Sequence, residues 1–215
     1  MCGDFAILFK KGDIFMEKYR ENVENEMSVC CNGMKYHAIT SDDMKNGEGL
    51  RVVLWVSGCE HRCPGCHNPQ TWDAASGDLF TYNEEKYLLD LLKQDHISGI
   101  TFSGGDPLHP ANRDVVGSLA LKVSEMGKDV WLYTGYVLEH KDSKFLFSDK
   151  DAGLEDVSID WLSAIDVLVD GRFEQSIRET DILKGSDPHW RGSSNQRLID
   201  VKKSVLLNKV VETVR

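Results

Sequence analysis

The stretch Leu50-Arg-Val-Val-Leu-Trp-Val-Ser57 is an almost unbroken apolar run of β-branched and aromatic residues, the pattern of a strand buried on both faces. Further on the period lengthens. Thr81-Tyr-Asn-Glu84 has a capping-box pattern, in which hydroxyl and carboxylate satisfy each other's backbone donors. From Glu84 to Asp95, Tyr87, Leu88, Leu91 and Leu92 then recur at helical spacing. Gly99–Ser103 reads as the next strand. Asp114–Met126 reads as a helix with Val115, Val116, Leu119 and Val123 on one stripe, and Asp129–Tyr133 and Ile165–Val169 read as further strands. Strands alternating with helices predict parallel pairing through right-handed crossovers, hence an α/β fold. Three segments stand apart. Residues 1–33 turn polar and acidic from Glu17 to Glu26 and are expected to be weakly ordered. Residues 140–158 are charged, broken by Gly153, and read as a surface excursion. The tail 201–215 carries Val205, Leu206, Val210 and Val214 at roughly helical spacing and predicts a docked helix.

With 215 residues, 41% of them hydrophobic, the chain can build one large core, and wholesale disorder is excluded. Its formal net charge of −10 repels phosphate backbones, and no basic cluster denser than Lys202-Lys203 offsets it, so nucleic acid is not expected as a main partner. No apolar run approaches the roughly 18–20 residues needed to span a bilayer. The N-terminus places Lys10 and Lys11 after its apolar stretch, the reverse of a secretory signal. A cytoplasmic protein without membrane contact is expected, and its six cysteines are then reduced thiols with catalytic or metal-binding uses.

Three of those cysteines form one group, Cys59-Glu-His-Arg-Cys63-Pro-Gly-Cys66, directly after the first strand. Gly58, Pro64, Gly65 and Pro69 supply the tight turns that let the loop fold its thiolates toward one point. Loops at the C-terminal ends of strands are where α/β folds keep their active sites. A structural zinc would need a fourth ligand, with His61 or His67 at hand. A 4Fe-4S cluster held by three cysteines keeps one iron open for a ligand. Spacing alone leaves both open and puts a disulfide well below them. Cys30 and Cys31, being adjacent, chelate one ion poorly and read as incidental. A second signal is Gly99-Ile-Thr-Phe-Ser-Gly104-Gly105-Asp106-Pro-Leu108, a strand ending in two glycines and a carboxylate. Such a pair admits a ligand to the backbone, and Asp106 can accept from a ligand ammonium. Taken alone, the segment is better explained as a plain glycine turn, and only together with the cysteine loop does it point to a ligand.

Together these motifs resemble radical S-adenosylmethionine enzymes, and most closely the activating proteins of anaerobic (class III) ribonucleoside-triphosphate reductases. The resemblance runs from Met34 onward. It rests on Met34-Lys-Tyr-His37, Asn46-Gly-Glu-Gly-Leu-Arg51, Val56 to Trp72 around the cysteines, and Ser103-Gly-Gly-Asp-Pro-Leu-His-Pro110. It continues in Trp131-Leu-Tyr-Thr-Gly-Tyr136, Val167-Leu-Val-Asp-Gly-Arg-Phe173 and Trp190-Arg-Gly-Ser-Ser-Asn-Gln-Arg197, the last being the most specific to these activases. The resemblance implies a partial (β/α) barrel with mostly parallel strands over residues 34–200. It implies a 4Fe-4S cluster on Cys59, Cys63 and Cys66, with the amino and carboxylate groups of S-adenosylmethionine on the fourth iron. Gly104, Gly105 and Asp106 would hold the methionine amino group, the backbone of Gly65, Cys66 and His67 would lie against the adenosyl part, and Thr134, with Gly135 and Tyr136, would lie at the same rim.

The implied reaction is reductive cleavage of S-adenosylmethionine to a 5′-deoxyadenosyl radical, which takes a hydrogen from a glycine of the partner reductase. A one-electron donor such as flavodoxin would supply the electron. Two positions depart from the superfamily: Asp106 replaces the commoner Glu, and Gly65 stands where an aromatic residue is usual, leaving His67 or Trp72 to cover adenine. Rival readings are an activase of another glycyl-radical enzyme such as pyruvate formate-lyase, an electron-transfer iron-sulfur protein, and a non-enzymatic zinc module. No side chain is needed as a general acid or base, and His109 and His189 read as structural. Arg51, Arg172 and Arg191 are each open to a partner contact, a carboxylate or surface pairing.

Overall fold

The apolar run at the centre of the sequence becomes strand β2 (Leu50–Val56), and all but two of its residues are buried. A computed structural model describes residues 33–149, 153–178 and 190–213. The expectations for Cys30, Cys31, His189 and the extension up to residue 32 therefore lie outside the described residues.

Four strands run parallel in the order β2, β4 (Ile97–Gly104), β5 (Asp129–Tyr133) and β9 (Val167–Asp170). Antiparallel strands flank them: β1 (Lys35–Asp43) and the two-residue β3 (Asp78–Leu79) on one side, and β10 (Arg197–Asp200) on the other. The result is an open seven-stranded sheet in a mixed α/β fold, with no closed barrel among the described residues.

The helices follow the apolar stripes except at Tyr87, which is exposed. Helix α1 (Tyr82–Leu92) starts at the Thr81/Glu84 capping box and buries Leu88 and Leu92. Helix α2 (Arg113–Glu125) buries Val115, Val116, Leu119, Ala120 and Val123. Side chains alternate along a strand, and here both faces of the sheet are covered. Val130, Leu132 and Leu168 join the helix-side core, while Trp131, Val167, Val169 and Leu198 form a second cluster on the opposite face.

Two expectations change. Residues 140–158 are no surface excursion: β6 (Val137–Lys141), β7 (Lys144–Asp149) and β8 (Leu154–Val157) form a separate antiparallel sheet. Its Leu138, Phe147 and Val157 are buried in the main core. The hairpin turns on Asp142 and Ser143, both at positive φ (48° and 63°), as a two-residue primed turn requires. Asp-Ser there lacks the glycine by which such turns are usually noticed. In the tail, helix α3 (Val201–Leu207) is only seven residues long and ends on Asn208 in the left-handed conformation. The chain then doubles back to pair with β10, Thr213 N–H donating to Leu198 O at 2.8 Å.

Candidate metal and cofactor site

The cysteine loop leaves β2 between two anchors. Gly58 N–H donates to Thr71 O (2.7 Å) and Cys59 N–H to Trp72 O (3.0 Å), closing the base of the loop. At its tip, Cys66 N–H donates to Cys63 O (3.1 Å) across Pro64 and Gly65, with Gly65 at φ 74°. Proline followed by a positive-φ glycine is the chemistry of a tight four-residue turn. It brings Cys63 and Cys66 to the same side. Asn68 N–H points at Cys66 Sγ (3.3 Å), a donor of the kind that tunes metal-bound sulfur.

The glycine–aspartate turn after β4 is held against this loop. Gly105 N–H donates to Val56 O and Asp106 N–H to Gly58 O, both at 2.7 Å. A Cβ on Gly105 would fall 2.6 Å from Gly58 O and one on Gly104 2.9 Å from Val56 O. The two glycines therefore let the strand ends meet, whatever else they admit.

Asp106 is buried, and both carboxylate oxygens are engaged by the protein. Oδ1 accepts from Leu108 N–H (2.8 Å) and Oδ2 from Gly135 N–H (2.9 Å) and His61 Nε2 (2.7 Å), while the Thr134 hydroxyl bridges both (3.0 and 2.9 Å). Burial opposes its charge, but these donors, His61 foremost, hold the carboxyl below its ordinary range. Thr134 thus touches Asp106 in addition to lining the site.

Cys59, Cys63, Cys66, His67, Gly104, Gly105, Asp106 and Thr134 all border one cavity of about 640 Å³ at the C-terminal ends of the parallel strands. Gly65 does not line it; the Gln175 side chain lies against that glycine, 2.4 Å from where a Cβ would stand. Of the two candidates to cover an adenine, His67 borders the cavity with its ring 5.0 Å from that of Phe173, and Trp72 is absent from the wall. Burial, followed by the nearby Asp106 charge, pushes the Cys59 thiol up to about 12. A bound cation reverses this and holds a coordinating thiol deprotonated.

The arginines separate cleanly. Arg51 is wholly buried, paired with Asp129 at 2.8 Å and donating to Thr101 Oγ1 (2.7 Å) and Ile100 O (2.6 Å). Arg172 donates to His61 O at 2.6 Å. Arg191 borders the cavity beside Trp190 and Gly192. His109 lies over Gly58 and accepts from Ala111 N–H through Nδ1 (3.1 Å), a local structural role.

Sequence reasoning named His61 only as a spare zinc ligand. Both of its ring nitrogens are instead engaged by carboxylates, Asp106 and Asp149 (2.5 Å to Nδ1), so it is not available to close a zinc site. Burial disfavours the imidazolium, yet the two carboxylates outweigh it and raise the His61 pKa. Asp149 and Arg178 carried no local signal, and Phe173 entered only as the end of the Val167–Phe173 stretch; Phe173 and Arg178 line the cavity, and Asp149 reaches it only through His61.

Residues 45–199, well over half of the chain, match the family described as a 4Fe-4S single cluster domain, and the chain belongs to that class of proteins. Within that class the chain is 40% identical over 167 residues to the anaerobic ribonucleoside-triphosphate reductase-activating protein of Enterobacteria phage T4, covering 77% of this chain and 93% of that protein. It is 41% identical over 169 residues to the protein of that name from Vibrio cholerae and 38% over 167 residues to that from Escherichia coli (strain K12), covering 76% of this chain and 96% of each relative. The chain belongs to the family of anaerobic ribonucleoside-triphosphate reductase-activating proteins.

Proposed function

We propose that the protein activates an anaerobic ribonucleoside-triphosphate reductase by generating a glycyl radical on it, using S-adenosylmethionine at a 4Fe-4S cluster. The observation that carries this reading is the meeting of the three thiols and the Gly104-Gly105-Asp106 turn on one cavity. The residues suit the group: three thiols serve three irons and leave the fourth open, and about 640 Å³ accommodates a nucleoside-sized ligand beside them. A cluster held by these thiols would supply one electron to S-adenosylmethionine, breaking its S–C5′ bond to give methionine and a 5′-deoxyadenosyl radical.

The protein's own work is to orient and to exclude water. Cys59, Cys63 and Cys66 hold the cluster. The turn at Gly104, Gly105 and Asp106 receives the methionine amino group. Because the Asp106 oxygens already accept from His61, Thr134, Gly135 and Leu108, the carboxylate acts there mainly by its charge and by fixing the turn. His67 and the Cys66 backbone face the adenosyl part, with Gly65 shaping the turn behind them and Phe173 backing the imidazole. Thr134 fixes Asp106 from the third strand. We assign the open sheet to the partial barrel of radical S-adenosylmethionine enzymes, with Trp190 and Arg191 of the cavity wall offered to the partner's glycine. Flavodoxin is the kind of one-electron donor the reaction requires.

The reading is tested on anaerobically reconstituted protein given reductant and S-adenosylmethionine. Wild type is expected to release 5′-deoxyadenosine, and Cys63→Ala to release none. A colourless wild-type protein carrying stoichiometric zinc and forming no product would overturn it.

A further inference from the structure

His61 stands between the first two cysteines of the loop, and its side chain faces inward. Nε2 meets Asp106 Oδ2 at 2.7 Å and Nδ1 meets Asp149 Oδ2 at 2.5 Å, with all three side chains 2–3% exposed. The ring packs edge-on against Tyr136, centroids 4.7 Å apart. Its place depends on Gly135, where a Cβ would come within 2.4 Å of the imidazole. Arg172 completes the set: Nη2 donates to His61 O at 2.6 Å, and Nε lies 3.9 Å from Asp149 Oδ2. Two acidic side chains, an imidazole and a guanidinium thus meet in a place where an unpaired charge is strongly disfavoured.

Asp149 is the member that needs explaining. The cysteine loop follows β2 and Asp106 follows β4, both from the parallel sheet. Asp149 is the last residue of β7, in the small sheet, which gives no residue to the cavity wall. That sheet is itself fastened to the main one, because Leu138 N–H donates to Asp170 Oδ2 (2.8 Å) and Arg197 Nη2 donates to Leu138 O (2.9 Å). An element anchored to the main sheet therefore brings Asp149 onto the His61 side chain of the cysteine loop.

We infer that Asp149 is a positioning residue: acting through His61, it sets the Cys59–Cys66 loop and the Gly104-Gly105-Asp106 turn at a defined separation, and so places the cluster relative to the methionine end of S-adenosylmethionine. This rests on the cluster and cofactor reading above. Asp149 lines no part of the cavity, so its loss is expected to change how well the cofactor reaches the open iron and to leave the three thiols in place.

The test uses Asp149→Ala and Asp149→Asn in two states of the full chain. In reconstituted protein, S-adenosylmethionine affinity is read from the change it makes in the electron paramagnetic resonance spectrum of the reduced cluster. Asp149→Ala is expected to keep wild-type iron content and to bind S-adenosylmethionine about tenfold more weakly, the scale set by losing a charge-assisted hydrogen bond. Asp149→Asn keeps an acceptor for Nδ1 and is expected to recover part of that loss, with the rise confined to KM rather than kcat. In metal-free protein, amide hydrogen exchange across residues 59–66 is expected to quicken by about tenfold in Asp149→Ala while exchange in β4 and β5 stays unchanged. Wild-type loop exchange in Asp149→Ala overturns the inference, as does a wild-type S-adenosylmethionine response in both variants. Should Asp149→Ala not fold, Asp149→Asn decides, and wild-type affinity in it overturns the inference. Should wild type itself bind no cofactor, the proposed function fails and the exchange experiment still decides whether the clamp exists.

Discussion

Arg51 is fully buried and carries a charge, so its surroundings have to replace its hydration. They do so with the Asp129 carboxylate, the Thr101 hydroxyl, three main-chain carbonyls (Glu48, Ile100 and Asp129) and the face of Trp131, 5.3 Å from the guanidinium carbon. Burial pulls its pKa down and Asp129 pulls it back up, with burial the larger influence. Removing one partner of such a pair strands the other, so Arg51→Ala is expected to cost about 3 kcal/mol, measured by urea unfolding of the metal-free protein. The three arginines left open by the sequence thus have different fates: Arg51 a core ion pair, Arg172 a brace behind the cysteine loop, and Arg191 the cavity wall. Nothing in the residues next to them distinguished these roles, because each depends on what another strand brings alongside.

At the scale of elements, the capping box of α1 was legible because every participant lies within four residues. The Thr81 side chain accepts from Asn83 N–H, and Glu84 accepts from Thr81 N–H at 2.9 Å. Slight burial works against the Glu84 charge, but the Thr81 hydroxyl and the amides win and hold its pKa below the ordinary 4.5. A depressed carboxylate contributes stability above its unfolded pKa and loses it as pH falls through the folded one. Glu84→Ala is therefore expected to cost about 1 kcal/mol near neutral pH, and the gap from wild type in urea unfolding is expected to narrow below about pH 4. The small sheet was not legible in the same way. Its hairpin turn lacks glycine, and its strands mix charged with apolar residues since only one side meets the core: Leu138 and Phe147 are buried while Lys141 and Lys144 are exposed. Helix α3 shows the converse. Helical spacing of Val205 to Val214 suggested a longer helix, yet Asn208 turns the chain, leaving Leu206 81% exposed and returning Val210 to the core.

At the scale of the whole molecule, the site belongs to no single element. Four parallel strands end at one rim, and each delivers part of it: the cysteine loop after β2, the glycine–aspartate turn after β4, Thr134 after β5, and Arg172 and Phe173 after β9. A ligand held by all of them stabilises the folded chain in proportion to its affinity. Reconstituted wild type is expected to melt several degrees above its metal-free form, and Cys63→Ala to show no such gap, in anaerobic thermal denaturation. Among the described residues no helix is long and apolar enough to cross a membrane. The sequence by itself determined the parallel core, its helices and the identity of the three thiols and the glycine turn, because hydrophobic period, caps and close cysteine spacing are local properties. Only the tertiary structure decided that His61 serves two carboxylates, that Gly65 shapes a turn beneath Gln175, and that residues 137–157 build a sheet ending in Asp149. Those outcomes depend on buried charges finding partners tens of residues away, and such pairing is chosen by the packing of strands.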